Sequence, residues 1–211
     1  PETGAAPTDN PFVDNEDADA RIYALGLRNP WRCAFDTGGD NALICADVQQ
    51  NSFEEVNIIE AGANYGWRRM EADKCFNYLE PDNHPDSCDT AGLTMPVMTY
   101  NNCTAQPDGC DGISVTGGYV YRGAHAAWDG AYIYGDWSKQ FATMDGQIML
   151  GMPDGNGGYE RKLATVANMD GNTPYVLAFA QDNAGEVYAL TSITTGPVGS
   201  QDTIYKVAPA E

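Results

Sequence analysis

The sequence predicts a nearly all-β chain built from repeated antiparallel hairpins. Three observations carry that prediction. No segment of useful length spaces its apolar residues at the 3.6-residue period of a helix. Short stretches of aromatic and aliphatic residues recur instead, separated by turns of Gly with Asp or Asn. A weak internal repeat is also visible: residues 34–47, 128–136 and 180–190 each give an acidic turn with Gly, then an aromatic and aliphatic strand. Repeats of a few short antiparallel strands are the pattern of propeller blades.

In chain order, residues 1–20 are rich in Pro, Asp, Asn and Ala and read as an irregular lead-in. Residues 21–27 alternate loosely and read as a strand. Residues 31–35 and 42–48 read as a hairpin over Asp36-Thr37-Gly38-Gly39-Asp40-Asn41, a run of turn formers. Residues 55–59 are another short strand, ended by Gly62. Residues 68–113 change character, with four cysteines, Pro81, Pro85, Pro96, Pro107 and many Asp and Asn. They read as a disulfide-pinned excursion in which only 93–100 is strand-like, and loops of this length are usually functional or stapled. Strands are expected again at 113–122, after the turn at 128–130, at 140–150, at 159–166 beyond a turn at 153–158, and at 203–207. Residues 176–180 and 186–191 form a hairpin over Asp182-Asn183-Ala184-Gly185.

The chain has 211 residues, enough to bury a core as one domain. It carries 30 acidic residues against 11 basic ones, a net charge of −19. That balance argues against nucleic acid or an anionic membrane as partner, since both need a basic face. It fits a solubilising surface, with divalent cation binding as a second reading. No apolar run approaches the roughly 20 residues that span a bilayer, and no signal peptide is evident. Because the sequence begins with Pro1, a processed product or a fragment is the expected reading.

Six cysteines fall as Cys33/Cys45, Cys75/Cys88 and Cys103/Cys110, none with the spacing of a zinc site. Fifteen pairings are possible. Nearest-neighbour pairing is favoured because each pair flanks a short, turn-rich loop. Three such disulfides imply a periplasmic or extracellular protein; buried free thiols in the cytosol are the alternative. Asn102-Cys103-Thr104 also matches a glycosylation sequon.

A four-stranded blade takes roughly 40–50 residues. Without 68–113 about 165 residues remain, enough for three to four blades. Closed propellers have typically four to eight. The chain is then a small propeller or the latter part of a larger one.

Several motifs occur in a specific order: Asp9-Asn10-Pro11-Phe12, residues 24–32 (Ala-Leu-Gly-Leu-Arg-Asn-Pro-Trp-Arg), residues 47–57 (Asp-Val-Gln-Gln-Asn-Ser-Phe-Glu-Glu-Val-Asn), Asn64-Tyr65-Gly66-Trp67, residues 116–123, Gly135-Asp136-Trp137 and residues 185–191. This set resembles the soluble quinoprotein glucose/sorbosone dehydrogenase family, including its hedgehog-interacting-protein-like branch, over essentially the whole chain. The cysteine-rich excursion resembles that branch as well. The resemblance implies a six-bladed β-propeller of four-stranded antiparallel blades, with 1–211 as its C-terminal part and the N-terminal blades as its partner.

It further implies pyrroloquinoline quinone (PQQ) lying over a Ca²⁺ ion. Arg28, with Asn29 beside it, is placed against the cofactor; a guanidinium fork suits a tricarboxylate. Lys139 falls near the family's cofactor lysine. Backbone carbonyls of Gln49 and Gln50 would hold the active-site Ca²⁺. The Glu54 and Glu55 carboxylates with the Tyr65 carbonyl would hold a second, structural Ca²⁺, since hard oxygens suit that ion. Two plainer readings stay open: Arg28 as a brace for a blade, and Glu54 with Glu55 as a solvated pair beside a strand.

There are departures from the family pattern. Its catalytic base is a histidine of the N-terminal half, absent from this chain. His84 and His125 read as surface loop residues. The usual Gly-Pro of the calcium turn is Gln49-Gln50, and 172–177 lacks the two arginines the glucose dehydrogenases carry there. The expected function is part of a PQQ- and calcium-dependent sugar dehydrogenase of aldose or sorbosone type, its base supplied from outside the chain. The alternative is a non-catalytic, calcium-stabilised propeller used for ligand or protein binding.

Overall fold

The structure, a computed structural model, describes residues 4–167, 173–196 and 201–210. Regular structure there is strand throughout, apart from a 3-10 turn at Ala126–Trp128. The chain lays down β1 (Pro30–Phe35), β2 (Leu43–Asp47) and β3 (Phe53–Ile59) as an antiparallel meander. It then leaves the sheet for a small ribbon, β4 (Met70–Glu71) with β5 (Lys74–Cys75). It returns as β6 (Met98–Asn101), which pairs with β3 and completes a four-stranded sheet of order β1-β2-β3-β6. A second four-stranded sheet follows in simple succession: β7 (Val115–Val120), β8 (Tyr132–Asp136), β9 (Gln147–Pro153) and β10 (Tyr159–Leu163). The third contains β11 (Tyr175–Gln181), β12 (Val187–Ser192) and β13 (Thr203–Lys206).

Side-chain alternation explains why the sheets stack. Successive residues of a strand point to opposite faces. In β8, Tyr132 and Tyr134 stack 5.2 Å apart and join a core with Ile44, Val56, Met98 and Tyr100 of the first sheet. Between them Ile133 points the other way, into a core with Val176, Phe179 and Val187 of the third sheet. All three β8 residues are fully buried, each contributing about 1.5–3 kcal/mol. The second sheet is thus buried on both faces. Its first strand, β7, lies against β1 and β2 on one side and β11 on the other. Gly118 makes the tight passage to β8 possible, because a Cβ there would lie 1.8 Å from the Ile133 carbonyl.

Cys33–Cys45, Cys75–Cys88 and Cys103–Cys110 are the disulfides, as the nearest-neighbour pairing predicts. Cys33 and Cys45 stand directly opposite in the β1–β2 ladder.

Three expectations need correction. Residues 21–27 are not a strand: Gly26 sits at φ +73° and breaks the extension, leaving a bridge between Leu25 and Asn64. The strand expected from 140 begins only at Gln147, because Ser138 ties off the preceding loop. Its Oγ donates to the Thr143 carbonyl at 3.0 Å and accepts the Asp145 amide at 3.2 Å. Within the 68–113 excursion the strand expected at 93–100 is confined to β6, Met98–Asn101.

Candidate functional site

The expected site lies where β1 begins, β2 ends and β3 begins. Asp47, fully buried at the end of β2, fixes this corner. It accepts the amides of Arg28 at 2.9 Å and Asn29 at 2.6 Å, and the Gln49 side-chain amide at 3.0 Å. The Arg28 guanidinium then folds over the β2–β3 turn. Its Nε and one terminal nitrogen donate to Gln50 Oε1 at 3.1 and 2.9 Å, and the other donates to the Val48 carbonyl at 2.8 Å. It also lies 5.6 Å from the Trp67 ring centroid, in cation–π range. Arg28, Gln50 and Trp67 therefore form one wall, with Gln50 exposed and Arg28 and Trp67 half-buried, and Asn29 is exposed beside it.

Lys139 lies at this end of the second sheet, in the loop after β8, where its amide donates to the Asp145 carbonyl. That loop is set by Asp136, fully buried at the end of β8. Asp136 accepts the Tyr100 hydroxyl at 2.6 Å and the amides of Ile113, Ser114 and Ser138 at 2.9–3.0 Å. Burial pushes its carboxyl up to about 7, against the pull of those donors toward the charged form.

Strand alternation separates the two adjacent carboxylates of β3. Glu54 faces the second sheet, accepting from Asn102 Nδ2 at 2.8 Å, the Val115 amide at 3.3 Å and the Gln49 amide at 3.4 Å. Burial, with the Asp136 charge nearby, holds it well above the usual carboxylate range. Glu55 faces the opposite side, where Asn57 Nδ2 donates to it at 2.8 Å and Asp47 is its cross-strand partner. Burial and the Asp47 charge push Glu55 up to about 8, and burial raises Asp47 above its ordinary value as well. The structure brings Glu55 together with Asp47, Gln49 and Asn57; it does not bring Glu54 and Glu55 together. Tyr65 packs its buried ring on Cys45 and Ile59, and its hydroxyl donates to the Ile58 carbonyl at 2.6 Å.

Two buried oxygens on the Glu55 face, Gln49 Oε1 and Asn57 Oδ1, have no hydrogen-bond donor. With the two carboxylates they make a set of hard oxygens, the type that suits Ca²⁺ rather than a soft metal. Among the described residues no group of three or more His, Cys, Asp or Glu is placed to hold a metal ion. Arg32 Nε is likewise buried without a partner, an unused donor on β1 four residues past Arg28.

Some residues of this end were not singled out from sequence. Asp136 sits inside a quoted motif, but no pattern shows that it takes four donors from three segments. Glu71 was not singled out within the disulfide-pinned excursion. His84 is not a surface residue: its side chain is only 16% exposed, edge-on to Phe53, with Nδ1 2.8 Å from the Cys75 carbonyl. The reason is the Cys75–Cys88 disulfide, which folds its loop back onto β3. His125 is half-buried against Trp128. The Asn102 sequon is committed internally, its amide donating to Glu54 and to the Ile113 carbonyl. In the segment without arginines, Tyr175 stacks on Trp137 with centroids 4.6 Å apart; Asn172 lies outside the described residues.

The family model described as Glucose / Sorbosone dehydrogenase matches residues 1–196. The HIPL1 protein of Arabidopsis thaliana is 34% identical over 203 residues, covering 88% of this chain and 28% of that protein. The soluble aldose sugar dehydrogenase of Escherichia coli, solved in its apo form, superposes with a TM-score of 0.70 at 21% identity, covering 99% of this chain and 53% of that one. The PQQ-bound aldose sugar dehydrogenase of Streptomyces coelicolor gives a TM-score of 0.63 at 17% identity, covering 96% of this chain and 48% of that one. The two structures show a shared fold, and this chain spans about half the length of each. With the family matched along nearly the full sequence and the antiparallel sheets shared, the chain belongs to the glucose/sorbosone dehydrogenase family.

Proposed function

We propose that this chain is the C-terminal part of a six-bladed propeller whose full-length protein is a PQQ- and Ca²⁺-dependent sugar dehydrogenase. The observation that carries the reading is the Arg28 wall. A guanidinium is held by Gln50 and Val48 directly beside the turn expected to offer carbonyls to a cation. PQQ, when bound, would supply the hydride acceptor for C1 of an aldose or related sugar, and Ca²⁺ would polarise it. Arg28, Asn29 and Lys139 bind and orient the carboxylated cofactor. The turn at Gln49 and Gln50 offers carbonyl oxygens. Asp47, Glu55, Gln49 and Asn57 support a hard cation on the other face of the sheet, near Tyr65; Glu54 braces the turn from below instead of sharing that ion. The N-terminal blades supply the general base. The disulfides support a periplasmic or extracellular location.

One observation favours a second reading, a calcium-stabilised propeller that binds without catalysis. The described part of the arginine-free segment offers a Trp137–Tyr175 stack in place of cationic donors. PQQ-dependent dye reduction across a panel of aldoses separates the two. The full-length protein reduces dye and the 211-residue chain alone does not; activity in the isolated chain would refute the need for an outside base.

A further inference from the structure

The excursion between β3 and β6 reaches into the turn at 49–52. Glu71, at the end of β4, is fully buried. Its Oε1 accepts the backbone amides of Asn51 and Ser52, the latter at 2.9 Å. A trans peptide is planar, with its N–H and C=O pointing opposite ways. Holding the Asn51 N–H toward Glu71 therefore turns the Gln50 carbonyl away from it. Holding the Ser52 N–H does the same for the Asn51 carbonyl. A peptide just upstream shows the rule in this molecule: the Gln49 amide donates to Glu54 below, and the Val48 carbonyl on its other side accepts from Arg28 above.

Glu71 is itself seated by the excursion. His84 Nε2 lies 3.5 Å from its Oε2. Asn51 Nδ2 donates to the Pro81 carbonyl at 3.2 Å and to Asp82 at 2.9 Å. The Cys75–Cys88 disulfide closes the loop that carries Pro81, Asp82 and His84.

We propose that Glu71 is a positioning residue: by holding the Asn51 and Ser52 amides it turns the Gln50 carbonyl, one of the two read as cation donors, toward the ligand side of the turn, and the Cys75–Cys88 loop holds it there. The excursion is then part of the cofactor site. This rests on reading the turn carbonyls as cation donors. Partners that orient first ligands typically change metal affinity by 10–100-fold.

The test is Ca²⁺ titration calorimetry on the full-length protein, with amide hydrogen exchange at Asn51 and Ser52. Glu71→Ala weakens Ca²⁺ binding by about tenfold or more and speeds exchange at both amides. Glu71→Gln keeps an acceptor oxygen and stays within about threefold. Asn83→Ala, in the same loop but touching Glu80, changes nothing. A folded Glu71→Ala protein with wild-type affinity overturns the positioning role alone. Wild-type protein that binds no Ca²⁺ overturns the cation reading and this inference with it. If Glu71→Ala does not fold, the Cys75→Ser/Cys88→Ser double variant carries the test: weakened binding supports the proposal, and unchanged binding overturns it.

Discussion

Asp136 should make this protein lose stability as pH rises toward neutrality. Its carboxyl is fully buried and moves from an ordinary 3.8 to about 7. A group whose pKa is raised by folding binds a proton more readily in the folded state. Its favourable contribution is therefore complete below about pH 4 and is lost as pH climbs through 7. At about 1.4 kcal/mol per pH unit over some three units, the loss through this one group is about 4 kcal/mol. The assay is urea unfolding of the full-length protein at pH 5, 6, 7 and 8 with chelator present. Asp136→Asn cannot titrate, so its stability should fall less steeply, by about 1.4 kcal/mol per pH unit between pH 5 and 7. Tyr100→Phe removes a donor that favours the charged carboxylate and should move the loss to higher pH. Identical pH slopes in all three proteins would refute the assignment of that proton to Asp136.

Other outcomes follow from individual contacts. Arg28→Gln should weaken PQQ binding by about 10–100-fold, the worth of a charge-assisted contact, with little change in melting temperature because the guanidinium is partly exposed. Gly118→Ala places a methyl 1.8 Å from the Ile133 carbonyl and should cost roughly 3 kcal/mol or more, read by urea midpoint. Arg122→Leu removes bonds to Asp36 at 3.0 and 2.6 Å and to Asp129 at 3.0 Å. Arg122 lies at the opposite end of the sheets, so this change should lower stability by about 1–3 kcal/mol while PQQ affinity holds.

Much of the fold was legible because burial and period coincide. The alternation in residues 132–136 is the β8 pattern that buries two faces at once. The Cys33–Cys45 pairing follows from a hairpin whose turn is spelled out in Asp, Gly and Asn. Residues 21–27 misled because loose alternation does not reveal a glycine forced to positive φ by a neighbouring turn. At the site, Arg28 and the Gln49-Gln50 turn were found through a motif that is local in sequence. Glu54 and Glu55 were grouped through the family resemblance, although period-2 geometry sends adjacent residues to opposite faces. Asp136 and Glu71 escaped notice, and His84 was misread as a surface residue, because their partners are 19 to 36 residues away or lie across a disulfide loop, a relation no short motif carries.

The most direct test of the account is a PQQ titration of the full-length protein, followed by calorimetry with and without Ca²⁺. The account predicts micromolar or tighter binding that requires Ca²⁺ and weakens in Arg28→Gln. A folded protein that takes up no PQQ at saturating Ca²⁺ would contradict it.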